Sequence, residues 1–202
     1  MDAGSGGREG GLRSSAPWEH ACGGLFGATA GANRAMRVVA SSMRLVVIAV
    51  GRLKQGPERE LAERYRTRFD DIGRKLGFRG LDIHEISESR AREAPARMAE
   101  EAAAILAAIP DKSVLVTMDE HGSNIDSAAF ARHLGQWRDQ SIANAVFVIG
   151  GADGLSPDLR RKEKLAMAFG AATWPHQMVR VMLLEQFYRA ATILAGHPYH
   201  RA

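Results

Sequence analysis

From Met43 onward the chain alternates between two apolar rhythms. Short runs that are apolar at almost every position, such as Leu45-Val-Val-Ile-Ala-Val50, are separated by longer stretches in which apolar residues recur every three or four positions. The first rhythm fits strands buried on both faces, the second amphipathic helices. Read in order, this gives a strand from Arg44 to Val50, a helix from Pro57 to Leu76 and a strand from Gly80 to Ile86. A helix from Ala91 to Ile109 follows, weakened near Pro95, because proline is tolerated only in a first turn. Next come a strand from Ser113 to Met118, a helix from Asp126 to Asp139 with Asp126 as N-cap, and a strand from Asn144 to Ile149. Ser156-Pro157 supply a cap and first helical position for a helix to about Phe169, a short strand spans Ala171 to Trp174, and a closing helix runs from Gln177 to Ala195. Such alternation predicts an α/β fold, a mostly parallel sheet with helices on both faces. Ligands of such sheets sit beyond the carboxyl ends of the strands, which selects the loops after Met118, Ile149 and Trp174.

The closing helix departs from the amphipathic pattern. Met178, Val179, Val181, Met182, Leu183, Leu184, Phe187, Ala190, Ile193 and Leu194 fall on nearly every side of it, and only Arg180, Glu185 and Arg189 carry charge. A helix of that kind needs cover on several sides, from its own domain and from a second copy of the chain. Pro175 opens it, Gly196 closes it, and Pro198 stands just beyond. The tail that follows, His197, Tyr199, His200 and Arg201, reads either as an idle terminus or as a functional group delivered to a fixed place by the buried helix.

Composition narrows the chemistry. Residues 1–42 are rich in Gly, Ala and Ser without periodicity, and are expected to be a disordered or mis-annotated extension to a single domain at 43–202. The single cysteine, Cys22, lies in that extension, so the domain offers no disulfide, thiolate zinc ligand or cysteine nucleophile, which fits a reducing cytoplasm. The seven histidines show no metal-binding spacing, and no apolar run approaches the ~18 residues of a membrane span. No metal site and no membrane are therefore expected. The net charge of +4 permits an anionic partner. Its clusters, Arg64 to Lys75 and Arg160 to Lys164, read either as solvated helix faces or as grips on a nucleic-acid backbone.

The glycine loop Gly150-Gly-Ala-Asp-Gly154 matches neither G-x-G-x-x-G nor a P-loop, so a Rossmann dinucleotide binder is disfavoured and a plain tight turn stays open. No nucleophile elbow or paired carboxylates stand at the strand ends; Asp70-Asp71 reads as a solvated helix face. A site of glycines and apolar side chains suits a reaction whose cofactor carries the reactive group, of which methyl transfer from S-adenosylmethionine is one case.

Four blocks then carry a resemblance: Phe147-Val-Ile-Gly-Gly-Ala-Asp-Gly-Leu155, Thr173-Trp-Pro-His-Gln-Met-Val-Arg-Val181, Leu184-Glu-Gln-Phe-Tyr-Arg-Ala190 and His197-Pro-Tyr-His-Arg201. With the opening Met43-Arg-Leu-Val-Val-Ile-Ala-Val-Gly51, they resemble the ribosomal RNA large subunit methyltransferase H family of the SPOUT superfamily. The resemblance implies a sheet whose C-terminal segment threads a trefoil knot, a homodimer, and methylation of N3 of a pseudouridine in 23S rRNA of the large subunit or assembled ribosome. It implies S-adenosyl-L-methionine contacts at Met118, Gly150, Gly151, Gly170, Ala171, Ala172, Thr173, Trp174 and Pro175. The mechanism expected on this fold has the partner's tail, Tyr199, His200 and Arg201, closing over the cofactor. His200 is then the proton acceptor, because an unperturbed imidazole can take a proton at pH 7, and Arg201 faces phosphate or developing charge. His176 and Arg180 are secondary candidates. Met118 stands where leucine is common in the family, and residues 1–42 have no counterpart there. A SPOUT enzyme acting on another RNA such as transfer RNA, or a non-catalytic ribosome-binding dimer, are the alternatives.

Overall fold

The structure, a computed structural model, describes residues 42–199. The expectation for the N-terminal extension, Ser42 apart, and the positions of His200 and Arg201 fall outside that range. Five strands, β1 (Met43–Val50), β2 (Phe78–Ile86), β3 (Ser113–Asn124), β4 (Asn144–Ile149) and β5 (Leu165–Ala168), form one parallel sheet in the order β2-β1-β4-β3-β5. Five helices cover it: α1 (Pro57–Gly73), α2 (Ala94–Ala108), α3 (Ser127–Asp139), the single turn α4 (Pro157–Arg160) and α5 (His176–Leu194).

The continuous apolar runs are the two central strands, whose side chains point alternately to two cores. Leu45, Val47, Phe147 and Ile149 meet Phe69 of α1, Phe130 and Leu134 of α3, and Val181, Leu184 and Phe187 of α5. Val46, Ile48, Val146 and Val148 meet Ala102 and Ile105 of α2 and Leu159 of α4. The expected α/β class, with helices on both faces of a parallel sheet, is present. Helix ends follow their local signals. Asp126 accepts from the Ala129 N–H at 2.6 Å, and α1 begins at a proline with Glu58 and Glu60 in its first turn, where the helix dipole favours carboxylates.

α5 is buried at Arg180, Val181, Leu183, Leu184, Phe187, Tyr188, Ala190, Ala191 and Thr192, and packs on both α1 and α3. The Phe187 ring lies 4.8 Å from Phe147, edge-on, 5.8 Å from Phe130 and 6.1 Å from Phe69, tying four elements together. Its end is a reverse turn. Gly196 takes φ of 64°, its N–H donates to Ile193 O at 3.1 Å, and the His197 N–H donates to Thr192 O at 2.9 Å. That double closure needs the left-handed backbone glycine adopts without strain.

Several sequence expectations are corrected. α2 begins at Ala94, not Ala91, which puts Pro95 in the first turn where its missing N–H costs nothing. The helix expected from Ser156 to Phe169 is only one turn. The following Leu165-Ala-Met-Ala168 is strand β5, entered where the Lys164 N–H donates to Leu115 O at 2.8 Å. Those residues are helix formers, and pairing with β3 overrides the preference. The strand expected at Ala171 to Trp174 is instead the loop leading to α5. β3 runs past Met118 to Asn124 with a bulge. Met118 and Ser123 both face Met167, so Asp119 to Gly122 are looped out. Among the described residues no helix is long and apolar enough to cross a membrane.

Candidate active site

β1 and β4 are neighbours whose connections leave in opposite directions, toward β2 and toward β5. Such a reversal opens a crevice at the carboxyl edge of a parallel sheet. At that edge, over β3, β4 and β5, lies a cavity of about 720 Å³, inside the ~300–1,000 Å³ range of small-ligand sites. Met118, Gly150, Gly151, Gly170, Ala172, Thr173, Trp174 and Pro175 line it together; Ala171 sits in the same loop without lining it.

The glycines do different work. An added Cβ at Gly150 would come within 3.1 Å of the Gly154 backbone, and at Gly151 within 2.9 Å of the Glu101 carboxylate, so these two allow tight packing under the cavity. Gly154 and Gly170 have positive φ, 82° and 97°, and open space where a side chain would stand. At these two points a ligand can approach bare backbone.

The loop from Phe169 to Pro175 forms one wall and is pinned from the β3 bulge. The Gly170 N–H donates to Asn124 Oδ1 at 2.9 Å, and the Thr173 hydroxyl donates to Glu120 Oε2 at 2.7 Å. Trp174, 44% exposed, donates its indole N–H to Phe169 O at 3.0 Å. Asp119 accepts from the His121 N–H at 2.9 Å, lies 3.2 Å from His121 Nδ1, and pairs with Arg160 at 2.8 Å, linking the bulge to α4. On the opposite rim Asp153 is gripped by Arg97 at 2.6 and 2.9 Å, which holds its carboxyl below the usual range. Asp119, Glu120, His121, Arg160 and Val179 also line the cavity, and sequence reasoning had not selected them for it. The signal was Gly122 in a polar run directly after an apolar strand. A Cβ there would fall 2.6 Å from Met167 N, so only glycine lets the bulge close.

The secondary candidates separate. His176 lines the cavity, whereas Arg180 is buried beside it and held by Glu85 and Gly51. Of the basic residues, Arg66 pairs with Glu63, Arg161 with Asp158, and the Arg68 guanidinium lies 5.8 Å from the Tyr188 ring centre. Tyr199 is at the far end of α5. Its ring packs 4.8 Å from Tyr188, with the Arg189 guanidinium 5.3 Å away. Burial and the Glu185 carboxylate push its phenol above the usual value, so it is protonated at neutral pH and cannot serve as a base. The 19 residues of α5 span about 28 Å. Tyr199 is therefore not brought together with the cavity of its own chain.

A parallel sheet with a cavity of bare glycine backbone at its carboxyl edge places the chain among α/β proteins with room for a small ligand at the strand ends. Residues 43–200 match a family model described as "Predicted SPOUT methyltransferase". Relatives named Ribosomal RNA large subunit methyltransferase H are 81% identical in Rhodopseudomonas palustris (strain BisB18), over 79% of this chain and 100% of that one. The namesake in Bradyrhizobium sp. (strain ORS 278) is 80% identical over 79% of this chain and 99% of that one. A crystal structure of the SpoU methyltransferase AviRb from Streptomyces viridochromogenes aligns over 76% of this chain and 62% of that one, at 16% identity and TM-score 0.35, too loosely to support inference. The chain belongs to the ribosomal RNA large subunit methyltransferase H family of SPOUT methyltransferases.

Proposed function

We propose that the protein methylates N3 of a pseudouridine in 23S rRNA, using S-adenosylmethionine and acting as a cytoplasmic homodimer on the large subunit or assembled ribosome. The observation that carries this reading, beside the family, is the cavity. It has the volume of a small-ligand site, and at Gly154 and Gly170 its wall is backbone with nothing in front of it. Met118, Gly150, Gly151 and the loop from Gly170 to Pro175 would hold the cofactor. When bound, it supplies a methyl group on a sulfonium already activated for displacement.

What remains for the chain is alignment and removal of a proton. The N3–H bond of the acceptor must break as its electron pair takes the methyl. In this reading the His200 imidazole accepts that proton, since an unperturbed imidazole can take one at pH 7. Arg201 offsets the negative charge developing on the ring, and protonated Tyr199 offers a stacking face and a donor. Because about 28 Å of α5 separates the cavity from Tyr199, the tail in this mechanism comes from the partner. Trp174, Met178 and Tyr199, the exposed large apolar side chains among the described residues, support that arrangement. They flank the two ends of α5, and a two-fold contact that runs the two helices antiparallel sets each end of one against the other end of its mate. The knotted threading of the C-terminal segment belongs to the same proposal.

Transfer of a labelled methyl from S-adenosylmethionine to large subunits lacking the modification tests the reading. Label in 23S rRNA and none in transfer RNA is expected. Label in transfer RNA alone would move the activity to another substrate, and no donor binding by calorimetry would leave a ribosome-binding dimer without catalysis.

A further inference from the structure

Arg180, in the second turn of α5, is 2% exposed. Its Nη1 donates to Glu85 Oε1 at 2.5 Å, its Nη2 donates to Gly51 O at 2.9 Å, and its Nε has no partner. The same Glu85 oxygen accepts from the Leu53 N–H at 2.8 Å. One carboxylate at the end of β2 thus holds both the loop leaving β1 and the start of α5. On those same turns of α5, His176 and Val179 line the cavity. A Cβ at Gly51 would stand 3.5 Å from His176 Nε2 and 2.8 Å from a Glu88 carboxylate oxygen.

Burying the Arg180 charge is a poor route to stability, even with a partly exposed carboxylate to pair with it, since the lost hydration offsets much of the attraction. The fork does something an apolar contact cannot. Two acceptors, one on β2 and one just past the end of β1, met by one planar guanidinium, fix the depth and rotation of the helix start against the sheet edge. The helix start is also the cavity wall. We propose that Arg180, acting through Glu85 and the Gly51 carbonyl, is a positioning residue that sets the α5 wall of the methyl-donor cavity, chiefly His176 and Val179. The inference rests on the methyltransferase reading above.

The test compares wild type, Arg180→Lys and the double variant Glu85→Leu/Arg180→Met. The readouts are thermal midpoint, donor affinity by calorimetry, and kcat and KM for S-adenosylmethionine. The double variant removes both charges together and is expected to fold, with a midpoint somewhat below the wild type because the Leu53 N–H and the Gly51 carbonyl lose their partners. Its kcat/KM is expected to fall about 100-fold, the effect of a wall misplaced by about 1 Å. Arg180→Lys keeps the charge without the fork and is expected to fall with it. A wild-type donor KM in a folded double variant overturns the proposal, whatever its midpoint. If the double variant does not fold, Arg180→Lys decides: a raised donor KM in that variant, folded, supports the proposal, and a wild-type KM overturns it. A wild-type protein that binds no donor is a separate result, which sinks the methyltransferase reading itself.

Discussion

Phe187→Ala removes the ring at which α1, α3, β4 and α5 meet. Phe187 is fully buried, edge-on to Phe147 at 4.8 Å and within 6.1 Å of both Phe130 and Phe69. Truncating a buried phenylalanine costs about 3–5 kcal/mol, the upper half applying where rigid neighbours cannot collapse into the space. Three aromatic neighbours on three different elements are such a setting, so about 4 kcal/mol is expected, a large part of the ~5–15 kcal/mol that holds a typical domain. For a domain of this size each kcal/mol lowers the thermal midpoint by about 2–4 °C, which predicts a fall of about 8–16 °C. Circular dichroism melts at fixed protein concentration, with urea midpoints alongside, measure it. Phe187→Leu, which keeps most of the volume, should lose less than about 1.5 kcal/mol. A fall of less than about 3 °C for the alanine variant would refute the claim that the terminal helix is built into the core.

Two further outcomes follow from the same geometry. Deleting Tyr199 to Ala202 should leave a folded dimer by sedimentation and abolish methyl transfer; full activity of that variant would remove the tail from the mechanism. Asp70 accepts from the Leu81 N–H at 3.1 Å, and burial raises its carboxyl above the ordinary value of 3.8. The folded state therefore favours the protonated form. Any stability this group contributes is fully present below the unfolded value and lost as pH rises through the folded one. Asp70→Asn keeps an acceptor without the charge and should be neutral to slightly stabilising at pH 7. The gain should stay under about 1 kcal/mol, because the site is only partly buried and still screened by solvent. It should flatten the stability profile in the range just above the ordinary carboxylate value, and a variant markedly less stable at pH 7 would contradict this.

How much of this was legible in the chain depended on whether the deciding contact was local. β1, β4 and the start of α3 are announced by adjacent residues: unbroken Val and Ile, or an aspartate before a helix. α5 was legible as buried because its apolar residues leave no polar side. Leu165 to Ala168 was not, since its helix-forming residues become a strand only through pairing with β3. The cavity floor was found by asking where parallel strands end, but its fastenings were hidden. Glu120 with Thr173 and Glu85 with Arg180 are partners 53 and 95 residues apart, and no short-range pattern marks such pairs. The parts assigned to Tyr199, His200 and Arg201 came from family resemblance and the general chemistry of their side chains, because nothing in the tail's composition separates a working tail from a frayed one.

The most direct measurement is mass spectrometry of 23S rRNA from cells lacking the protein, set against rRNA from the parent and from the mutant after incubation of its ribosomes with the purified protein and S-adenosylmethionine. The account predicts one pseudouridine-containing fragment lighter by a single methyl group in the mutant, with the mass restored by the purified chain. Identical fragment masses in mutant and parent would contradict it.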